Sequence, residues 1–418
     1  MQISHNKGVK ISLNTQIFLG AFLGVVFGII LGHTGLLLPS TASWFLSGFG
    51  LLGKIFIDLL KVIMVPVVFT SIAAGIANLR NAPQSGRAWP ALILYSLTTT
   101  CLAAATGLTA MNLIKPGVGL NTHLFQENMP PSGLHSLTVG DFIRKLIEGI
   151  FTHPLAAVGQ NNILAVIMLA LLTGIAIVLL GERSRTTVKA LNKLFEIMMT
   201  IVRWIMVLAP AGIMGLLAVL IARQKVQLLF VLSKYILVVM GTTFFHGAVT
   251  LPVILWLTTR MSPHRFLMGM KEAFITAFAT SSSTATLPVS LRCITDNLGI
   301  DRHVARFVLP VGAALNMDGT AMYEAMAALF VANLCGIHLS LPAQIIVVLT
   351  AMTASIGAPG LPSAGMVTMM MVLQSVGLPL SALGLLIAID RPLDTGRTVV
   401  NVEGDCIGAC VVQRVAGR

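Results

Sequence analysis

The stretch DRPLDTGRTVVNVEGD, residues 390–405, sets charged side chains inside an apolar helical segment and so constrains the fold of the whole chain. At roughly 100° per residue, its polar side chains fall on one face of a helix. These side chains belong to Asp390, Asp394, Arg397, Thr398, Asn401 and Asp405. An ionised side chain at bilayer depth costs several kcal/mol unless it faces a cavity, a partner or a bound ion. We interpret this polar stripe as a binding site for a charged solute and its coupling cations.

The composition is that of a membrane protein. Of 418 residues, 56% are hydrophobic and 10% are charged, and the mean hydropathy is +0.89. The formal net charge of +12 comes from basic residues in short loops between apolar segments, which is typical of cytoplasmic loops. We expect a multi-pass protein of the plasma membrane, in this case a bacterial inner membrane. Its partner would be the lipid bilayer, and no nucleic acid is expected.

Hydropathy divides the chain into six long apolar helices and a less regular second half. The six helices are predicted at 16–38, 44–78, 90–113, 160–181, 187–222 and 226–258. The second half alternates broken stretches with helices, in the order 266–294 (broken), 300–334, 341–376 (broken) and 378–413. The last of these segments carries the polar stripe.

The two broken stretches are interrupted by small residues, TSSSTAT at 280–286 and SIGAPGLPSAG at 355–365. Neither arm of a broken stretch is long enough to span a bilayer, so each stretch is predicted to be a re-entrant hairpin. The first hairpin would enter from the cytoplasm and the second from outside. A hairpin followed by a helix, occurring twice, is the pattern of inverted-repeat transporters. The predicted fold is an all-α polytopic membrane protein with eight transmembrane helices plus two re-entrant helical hairpins.

The segment NMDGT, residues 316–320, resembles a cation site inside a helix. Gly319 beside Asn316 and Asp318 weakens the helix and frees backbone carbonyls, and oxygen atoms are the ligands that sodium requires. The alternative is a glycine kink whose Asn and Asp are satisfied locally. A second Asn and Asp pair, Asn401 and Asp405, favours the cation site.

The hairpin tips suit a different ligand. Exposed amides, hydroxyls and the positive ends of two half-helices favour an anionic group. Ser281, Ser282, Ser283 and Thr284 are candidates for such contacts, although their hydroxyls could equally bond back to the helix. The Gly and Pro residues of the second tip could form a moving gate or only reverse the chain direction.

Two other function classes fit parts of the pattern. A polar stripe also suits the pore of an ion channel. An intramembrane hydrolase would need a base near Ser283 or Ser363, and His246 is the one candidate that could be close in space. Cys406 and Cys410 stand one helical turn apart, but without an accompanying histidine they are expected to pack rather than to bind a metal. No nucleotide-binding motif is present in the sequence, so gradients and not ATP should drive any transport.

Several segments resemble one family, the sodium:dicarboxylate symporters, which include glutamate and aspartate transporters and their neutral amino acid relatives. The matching segments are LLKVIMVPVVFTSI (59–72), TSSSTATLP (280–288), RFVLPVGAALNMDGTAMYEA (306–325), TASIGAPGLPSAG (353–365) and DTGRTVVNVEGD (394–405). The resemblance runs through nearly the whole chain. It implies a sodium-coupled secondary active symporter that works by alternating access, and not an enzyme.

The resemblance also implies roles for the stripe. Arg397 would grip the side-chain carboxylate of the substrate, Asp394 would hold its ammonium group, and the two hairpin tips would contact the α-carboxylate. We expect Asp390 to steady Arg397. The implied substrate-binding residues are Ser281, Ser282, Ser283, Thr320, Leu361, Pro362, Gly365, Asp394, Arg397, Thr398 and Asn401.

The implied sodium sites form three groups. They are Asn401 and Asp405 with carbonyls of Gly312 and Asn316; Asn316 and Asp318 with Thr99, Thr100 and the carbonyl of Ser96; and the carbonyls of Ala314, Ser355, Ile356 and Ala358. Glu324 matches the acid that carries a co-transported proton in animal glutamate transporters. It could equally be a buried carboxyl without a transport role.

Three positions bear on the substrate. Dicarboxylate carriers of the family lack the acid at Asp394, and neutral amino acid exchangers lack the guanidinium at Arg397. A chain with both predicts an acidic amino acid, aspartate or glutamate, with a neutral amino acid or C4-dicarboxylate symporter as the alternative. Asp405 favours sodium over protons. Relatives often carry a further arginine at the positions of Ser281 or Thr395, and Arg391 is the nearest substitute here.

The resemblance finally implies a homotrimer with two kinds of domain. Residues 1–78 and 114–222 would form the scaffold, with helices 1, 2, 4 and 5. Residues 90–113 and 226–418 would form the transport domain, with helix 3 and then helix 6, hairpin 1, helix 7, hairpin 2 and helix 8.

Overall fold

The computed structural model of the chain describes residues 13–33, 39–78, 88–119, 153, 163–223, 227–356 and 365–415. Every regular element in these ranges is helical, and none of the described residues forms a strand. This confirms the all-α class predicted from the sequence. The tip of the second predicted hairpin, with Ala358, Leu361 and Pro362, lies outside the described residues.

The described part of the first half contains six α-helices. They are α1 (Leu13–His33), α2 (Pro39–Asn78), α3 (Ala88–Ile114), α4 (Ile163–Leu179), α5 (Arg185–Val207) and α6 (Ala209–Arg223). The prediction of one helix over 187–222 was wrong, because α5 and α6 are separated at Leu208 and bent by 52°. Pro210 explains the break, since proline has no N–H to donate and its ring clashes with the preceding turn.

Where the structure describes the second half, nine further α-helices are present. They are α7 (Gln227–Phe245), α8 (Leu251–Thr259), α9 (Pro263–Thr280), α10 (Ser283–Arg292), α11 (Arg302–Leu315), α12 (Asp318–Leu334), α13 (Leu341–Ser355), α14 (Gly365–Ser375) and α15 (Leu383–Val415). A π-helical segment, His246–Thr250, joins α7 to α8. Its widened turn precedes Pro252, which cannot donate a backbone hydrogen bond.

Length and apolar composition identify the helices able to cross a bilayer. Among the described residues, three qualify, at Thr15–Gly32, Ala88–Ile114 and Leu228–Thr259. Counting the bent pairs 40–77 and 181–222 as one crossing each raises the number to five. The 33-residue helix α15 has the necessary length and carries the charged stripe. The full arrangement of eight spans and two hairpins stays a prediction.

Helices α9 and α10 fold back on each other, as the first predicted hairpin requires. Asn297, just beyond α10, donates from Nδ2 to the carbonyl of Gly269 at 2.7 Å. Arg292 and Glu272 form an ion pair between the two arms. The chain reverses at Ser281, whose φ of 48° lies in the left-handed region. The arms α13 and α14 of the second predicted hairpin also pack against each other.

Four glycines of α1 allow it to pack closely against α6. They recur every fourth residue, at Gly20, Gly24, Gly28 and Gly32. A Cβ on the first of these would lie 2.4 Å from the carbonyl oxygen of Pro210, and one on the last would lie 2.4 Å from that of Ala222. Small residues at this spacing let two helix backbones approach closely. Because the contact advances along both helices together, α1 and α6 run parallel.

Three other helices surround the polar stripe. Helix α12 runs parallel to α3, since Thr99 contacts Asp318 at 3.1 Å and Asn333 donates to the carbonyl of Pro116 at 3.1 Å. Helix α11 runs antiparallel to α15, because the amide of Asp301 donates to Oε1 of Gln413 at 2.7 Å. The break between α11 and α12 therefore lies beside the middle of α15.

The α1–α6 contact yields a stability prediction. We expect Gly24→Ala to lower the apparent Tm of the detergent-purified protein, because its Cβ would lie 2.6 Å from the carbonyl oxygen of Met214. Overpacking of this kind costs roughly 1–3 kcal/mol, more than alanine gains in helix propensity. Gly48→Ala in α2 is the matched control, because a Cβ there meets nothing within 4 Å. Equal Tm values for the two variants would contradict the close packing.

Candidate functional site

Arg397 is the centre of the polar stripe and is buried, with 1% of its surface exposed. Its Nη2 donates to Oδ1 of Asp390 and to Oδ1 of Asp394, both at 2.7 Å. Its guanidinium carbon lies 4.0 Å from the ring centroid of Tyr323, a cation–π contact. The expected role of Asp390 in steadying Arg397 is confirmed by the first of these bonds.

One side of the guanidinium is left for a ligand. Among the described residues, Nε and Nη1 of Arg397 have no hydrogen-bond partner. A Cβ on Gly365, the first residue of α14, would lie 3.6 Å from Nη1 and 3.9 Å from Cγ2 of Thr320. The start of α14 therefore lies beside the unpaired nitrogen. A guanidinium held in this way can donate from Nη1 to a carboxylate in a charge-assisted hydrogen bond.

Asn401 ties the stripe to the start of α12. Its Oδ1 accepts from the amide of Gly319 at 2.8 Å, and its Nδ2 donates to Oγ1 of Thr320 at 3.1 Å. Gly319 is required for this approach, because a Cβ would lie 2.7 Å from the carbonyl oxygen of Arg397. The hydroxyl of Thr398 instead donates to the carbonyl of Asp394 at 2.8 Å, within its own helix.

The predicted weak point in 316–320 is a real break. Helix α11 ends at Leu315 and α12 begins at Asp318, with Asn316 and Met317 in non-helical conformations. From the sequence, Gly319 is the expected cause of the break. The structure places Gly319 inside α12, where its lack of a side chain allows contact with α15.

One predicted sodium site is brought together by three elements. Oδ1 of Asp318 accepts from Thr100 at 2.7 Å and from Thr99 at 3.1 Å, and Thr99 also contacts Oδ1 of Asn316 at 3.0 Å. The carbonyl of Ser96 lies 3.3 Å from the Thr99 hydroxyl. These atoms form a buried cluster of oxygens, the donor set that a hard monovalent cation needs.

A second cluster surrounds Asp405. A Cβ on Gly312 would lie 2.7 Å from Oδ1 of Asp405, and one on Gly404 would lie 2.5 Å from Nδ2 of Asn316. Oδ1 of Asp405 has no hydrogen-bond partner among the described residues. The structure thus brings Asp405, Gly312 and Asn316 together, as expected. Tyr95 fixes this part of α15 by donating to the carbonyl of Gly404 at 2.9 Å.

The third predicted sodium group is described only in part. Ser355 ends α13 fully buried, and its hydroxyl donates to the carbonyl of Met352 at 2.9 Å. Ile356 follows with extended backbone. Ala314 lies in the last turn of α11. The fourth predicted member, Ala358, lies outside the described residues.

The serines of the first tip are all buried. Ser282 caps α10, its Oγ accepting from the amide of Ala285 at 3.1 Å, and its contact with a substrate stays a prediction. Ser283 is the first residue of α10, and α10 packs against α15. Ser281 adopts the left-handed conformation that turns the chain.

Two buried carboxylates stand outside the hydrogen-bonded clusters. Neither oxygen of Glu324 has a hydrogen-bond partner among the described residues, although the whole residue is buried. Glu403 was missed by the sequence argument because it does not share the face of the stripe. Its Oε2 would lie 3.0 Å from a Cβ on Gly247, in the π-helical segment. The signal that could have identified Glu403 is the presence of a glutamate in an apolar helix.

His246 was also missed as a site residue. Its Nε2 lies 3.5 Å from Oδ2 of Asp318, and both side chains are fully buried. From the sequence, His246 is a candidate only as the base for a serine of the hairpin tips. Its ring is instead directed at the predicted sodium cluster. The signal would have been Pro252, which widens the helix next to His246.

No three His, Cys, Asp or Glu side chains form a metal-binding group in the described part of the chain. All five cysteines are free thiols, including Cys406 and Cys410. The oxygen atoms gathered at Asp318 and Asp405 are the type of ligand that hard cations prefer.

Comparison with known proteins identifies the family. The family model of the sodium:dicarboxylate symporter family matches residues 13–415. The chain is 34% identical over 403 residues to an excitatory amino acid transporter of Caenorhabditis elegans, covering 86% of this chain and 80% of that protein. It is 34% identical over 444 residues to mouse excitatory amino acid transporter 3, covering 95% and 84% respectively.

Relatives named for another substrate class are equally similar. The chain is 35% identical over 402 residues to neutral amino acid transporter B(0) of Bos taurus, covering 89% of this chain and 74% of that protein. Because the family model covers nearly the whole chain and these relatives align over most of their length, this chain belongs to the sodium:dicarboxylate symporter family.

Proposed function

We propose that this protein is a sodium-coupled secondary active symporter that carries an acidic amino acid, aspartate or glutamate, inward by alternating access. The observation that carries the proposal is the guanidinium of Arg397. Asp390 and Asp394 hold it at 2.7 Å, while Nη1 faces the start of α14. A fixed, buried cation of this shape favours a substrate that brings a second carboxylate.

The site separates the charged groups of such a substrate. Arg397 would bind the side-chain carboxylate, and Asp394, 13% exposed, would turn to the ammonium group. Contacts to the α-carboxylate would come from Ser281–Ser283 and from the second tip with Leu361, Pro362 and Gly365. Thr320, Thr398 and Asn401 would line the remaining side. A neutral amino acid leaves the guanidinium without its partner, and a C4-dicarboxylate leaves Asp394 without one.

In this proposal sodium is a co-transported substrate. The Asp318 cluster, with Ser96, Thr99, Thr100 and Asn316, and the Asp405 cluster, with Gly312 and Asn316, would supply anionic and neutral oxygens deep in the protein. Asn401 would join the Asp405 cluster by turning its Oδ1 away from the amide of Gly319. A bound cation would offset the cost of burying these carboxylates. Ala314, Ser355, Ile356 and Ala358 would form the third group.

The fold offers support for the proposed architecture. The parallel course of α1 and α6 agrees with first and fifth helices that cross a membrane in the same direction. The folded-back arms α9 and α10 agree with the first of two re-entrant hairpins. We propose eight spans and two hairpins in an inverted repeat, with a scaffold of 1–78 and 114–222 and a transport domain of 90–113 and 226–418. The protein would act as a homotrimer in a bacterial inner membrane.

The direct test is uptake of labelled L-aspartate into proteoliposomes. We expect uptake above the equilibrium level when sodium outside exceeds sodium inside, and none when choline replaces sodium. Collapse of the sodium gradient by an ionophore should release the accumulated aspartate. Flux that does not saturate with aspartate, or that persists without sodium, would favour an ion channel instead.

Replacement of Arg397 should change the substrate class. We expect Arg397→Cys to lower aspartate affinity by roughly a hundredfold or more, because a charge-assisted contact is lost. Uptake of serine or cysteine should appear or increase, which also reports that the variant folds. Arg203→Gln is the control, since Arg203 is exposed and donates to Thr200 of its own helix. Unchanged aspartate binding by Arg397→Cys would remove the assignment.

Loss of one hydroxyl at the Asp318 cluster should weaken sodium coupling. We expect Thr100→Val to raise the sodium concentration for half-maximal aspartate binding roughly tenfold, the usual size for loss of one polar group at a cation site. Thr106→Val is the matched control, because the hydroxyl of the half-buried Thr106 donates to the carbonyl of Leu102 within the same helix. The measurement is aspartate binding at varied sodium. A similar shift in both variants would dissociate Thr100 from the sodium site.

Glu324 is proposed as a carrier of a co-transported proton. If it has this role, Glu324→Gln should make aspartate uptake independent of an imposed pH gradient, because the amide cannot exchange a proton. Glu196→Gln serves as the control, since Glu196 is exposed and pairs with Lys193. Uptake is measured in proteoliposomes with equal sodium gradients and opposite pH gradients. A pH response that survives in Glu324→Gln would exclude the role.

A further inference from the structure

Arg391 is a second buried arginine beside the proposed substrate site. It lies on α15 one turn before Asp394, and only 8% of its surface is exposed. Its Nη1 lies 3.9 Å from Oδ2 of Asp394, which is too long for a hydrogen bond. Its Nε and Nη1 have no hydrogen-bond partner among the described residues. Its positive charge is therefore not held in a close ion pair.

The two oxygens of Asp394 divide between two guanidinium groups. Oδ1 accepts from Arg397 at 2.7 Å, and Oδ2 faces Arg391. On this face of α15, two carboxylates, Asp390 and Asp394, stand against two guanidinium groups. The four side chains together carry no net charge. Without Arg391, the same segment would carry one uncompensated negative charge.

That charge balance matters for the ligand. The proposed substrate carries two carboxylates and one ammonium group, so it brings a net negative charge into a buried site. Coulomb interactions at such a site act over several ångströms and are weakly screened. Thr395, the residue after Asp394, has no charge. The hydroxyl of Thr395 is engaged with the carbonyl of Pro392 at 2.9 Å.

We propose that Arg391 is a specificity-determining residue whose loosely paired charge makes the site favour ligands with net negative charge. It acts through its field and not by gripping a carboxylate as Arg397 does. The inference rests on the proposed function, because it assumes that the ligand binds between Arg397 and Asp394. It adds a second determinant of substrate class, one that grades ligands by total charge rather than by one functional group.

The test compares three ligands of similar size and different charge. Succinate carries two negative charges, L-aspartate carries a net one, and L-asparagine carries none. Affinities are measured on the purified full-length protein in sodium, by direct binding of labelled aspartate and its displacement by the other two. For Arg391→Gln we expect a loss on the order of tenfold for aspartate, a larger loss for succinate and less than a twofold change for asparagine. Arg391→Lys should retain most of the aspartate affinity, because it keeps the charge.

Other patterns would overturn the inference. Equal losses for all three ligands would mean that Arg391 only supports the structure. Losses for aspartate and asparagine with succinate unchanged would mean that it acts by orienting Asp394 toward the ammonium group. If Arg391→Gln does not fold, Arg391→Lys and Arg391→Met decide the matter by the same ranking, with thermal unfolding as the folding check and Arg203→Gln as the control.

The outcomes separate this inference from the proposed function. If the wild-type protein fails to bind aspartate in sodium, the proposed function fails. If the wild-type protein binds aspartate and the Arg391 variants do not rank the ligands by charge, only the role of Arg391 fails.

Discussion

The ion pairs of Arg397 with Asp390 and Asp394 are the constraint on which the rest of the site depends. A guanidinium buried to 1% exposure must be paired, because an isolated buried charge is strongly destabilising. Pairing through Nη2 alone fixes the plane of the group and leaves Nη1 for a ligand. The neighbouring backbones follow from this placement. A side chain at Gly319 would meet the backbone of Arg397. A side chain at Gly365 would lie beside Nη1 of Arg397, in the space proposed for a ligand.

The break between α11 and α12 links the two kinds of ligand physically. Asn316 and Asp318 lie at the break and belong to the proposed cation clusters, while Gly319 and Thr320 follow at once and bond to Asn401. A cation that orders the first pair therefore also fixes the backbone that carries the second pair against α15. This is a short, contiguous route by which sodium binding can affect substrate affinity, and coupling of that kind is reciprocal.

The sequence predicted elements well and partners poorly, for one physical reason. Apolar runs and helical periodicity report which face of a helix is polar, so α15, the break near Asn316 and the fold-back at Ser281 were all found. Periodicity does not report what lies opposite that face. Thr99 and Asp318 are 219 residues apart, and only the resemblance to a family paired them. His246 was missed because it lies in a π-helical turn, which helical periodicity does not predict. Glu403 was missed because it does not lie on the polar face of α15.

The same reasoning explains why overall similarity leaves the substrate class open. At about one third identity, this chain is as similar to a neutral amino acid transporter as it is to excitatory amino acid transporters. The difference between the two substrate classes is one carboxylate, and only groups that meet its charge can distinguish it. In the proposed function those groups are the guanidinium of Arg397, placed for direct contact, and the guanidinium of Arg391, placed to act at a distance. On that proposal a few charges on α15 decide the substrate class.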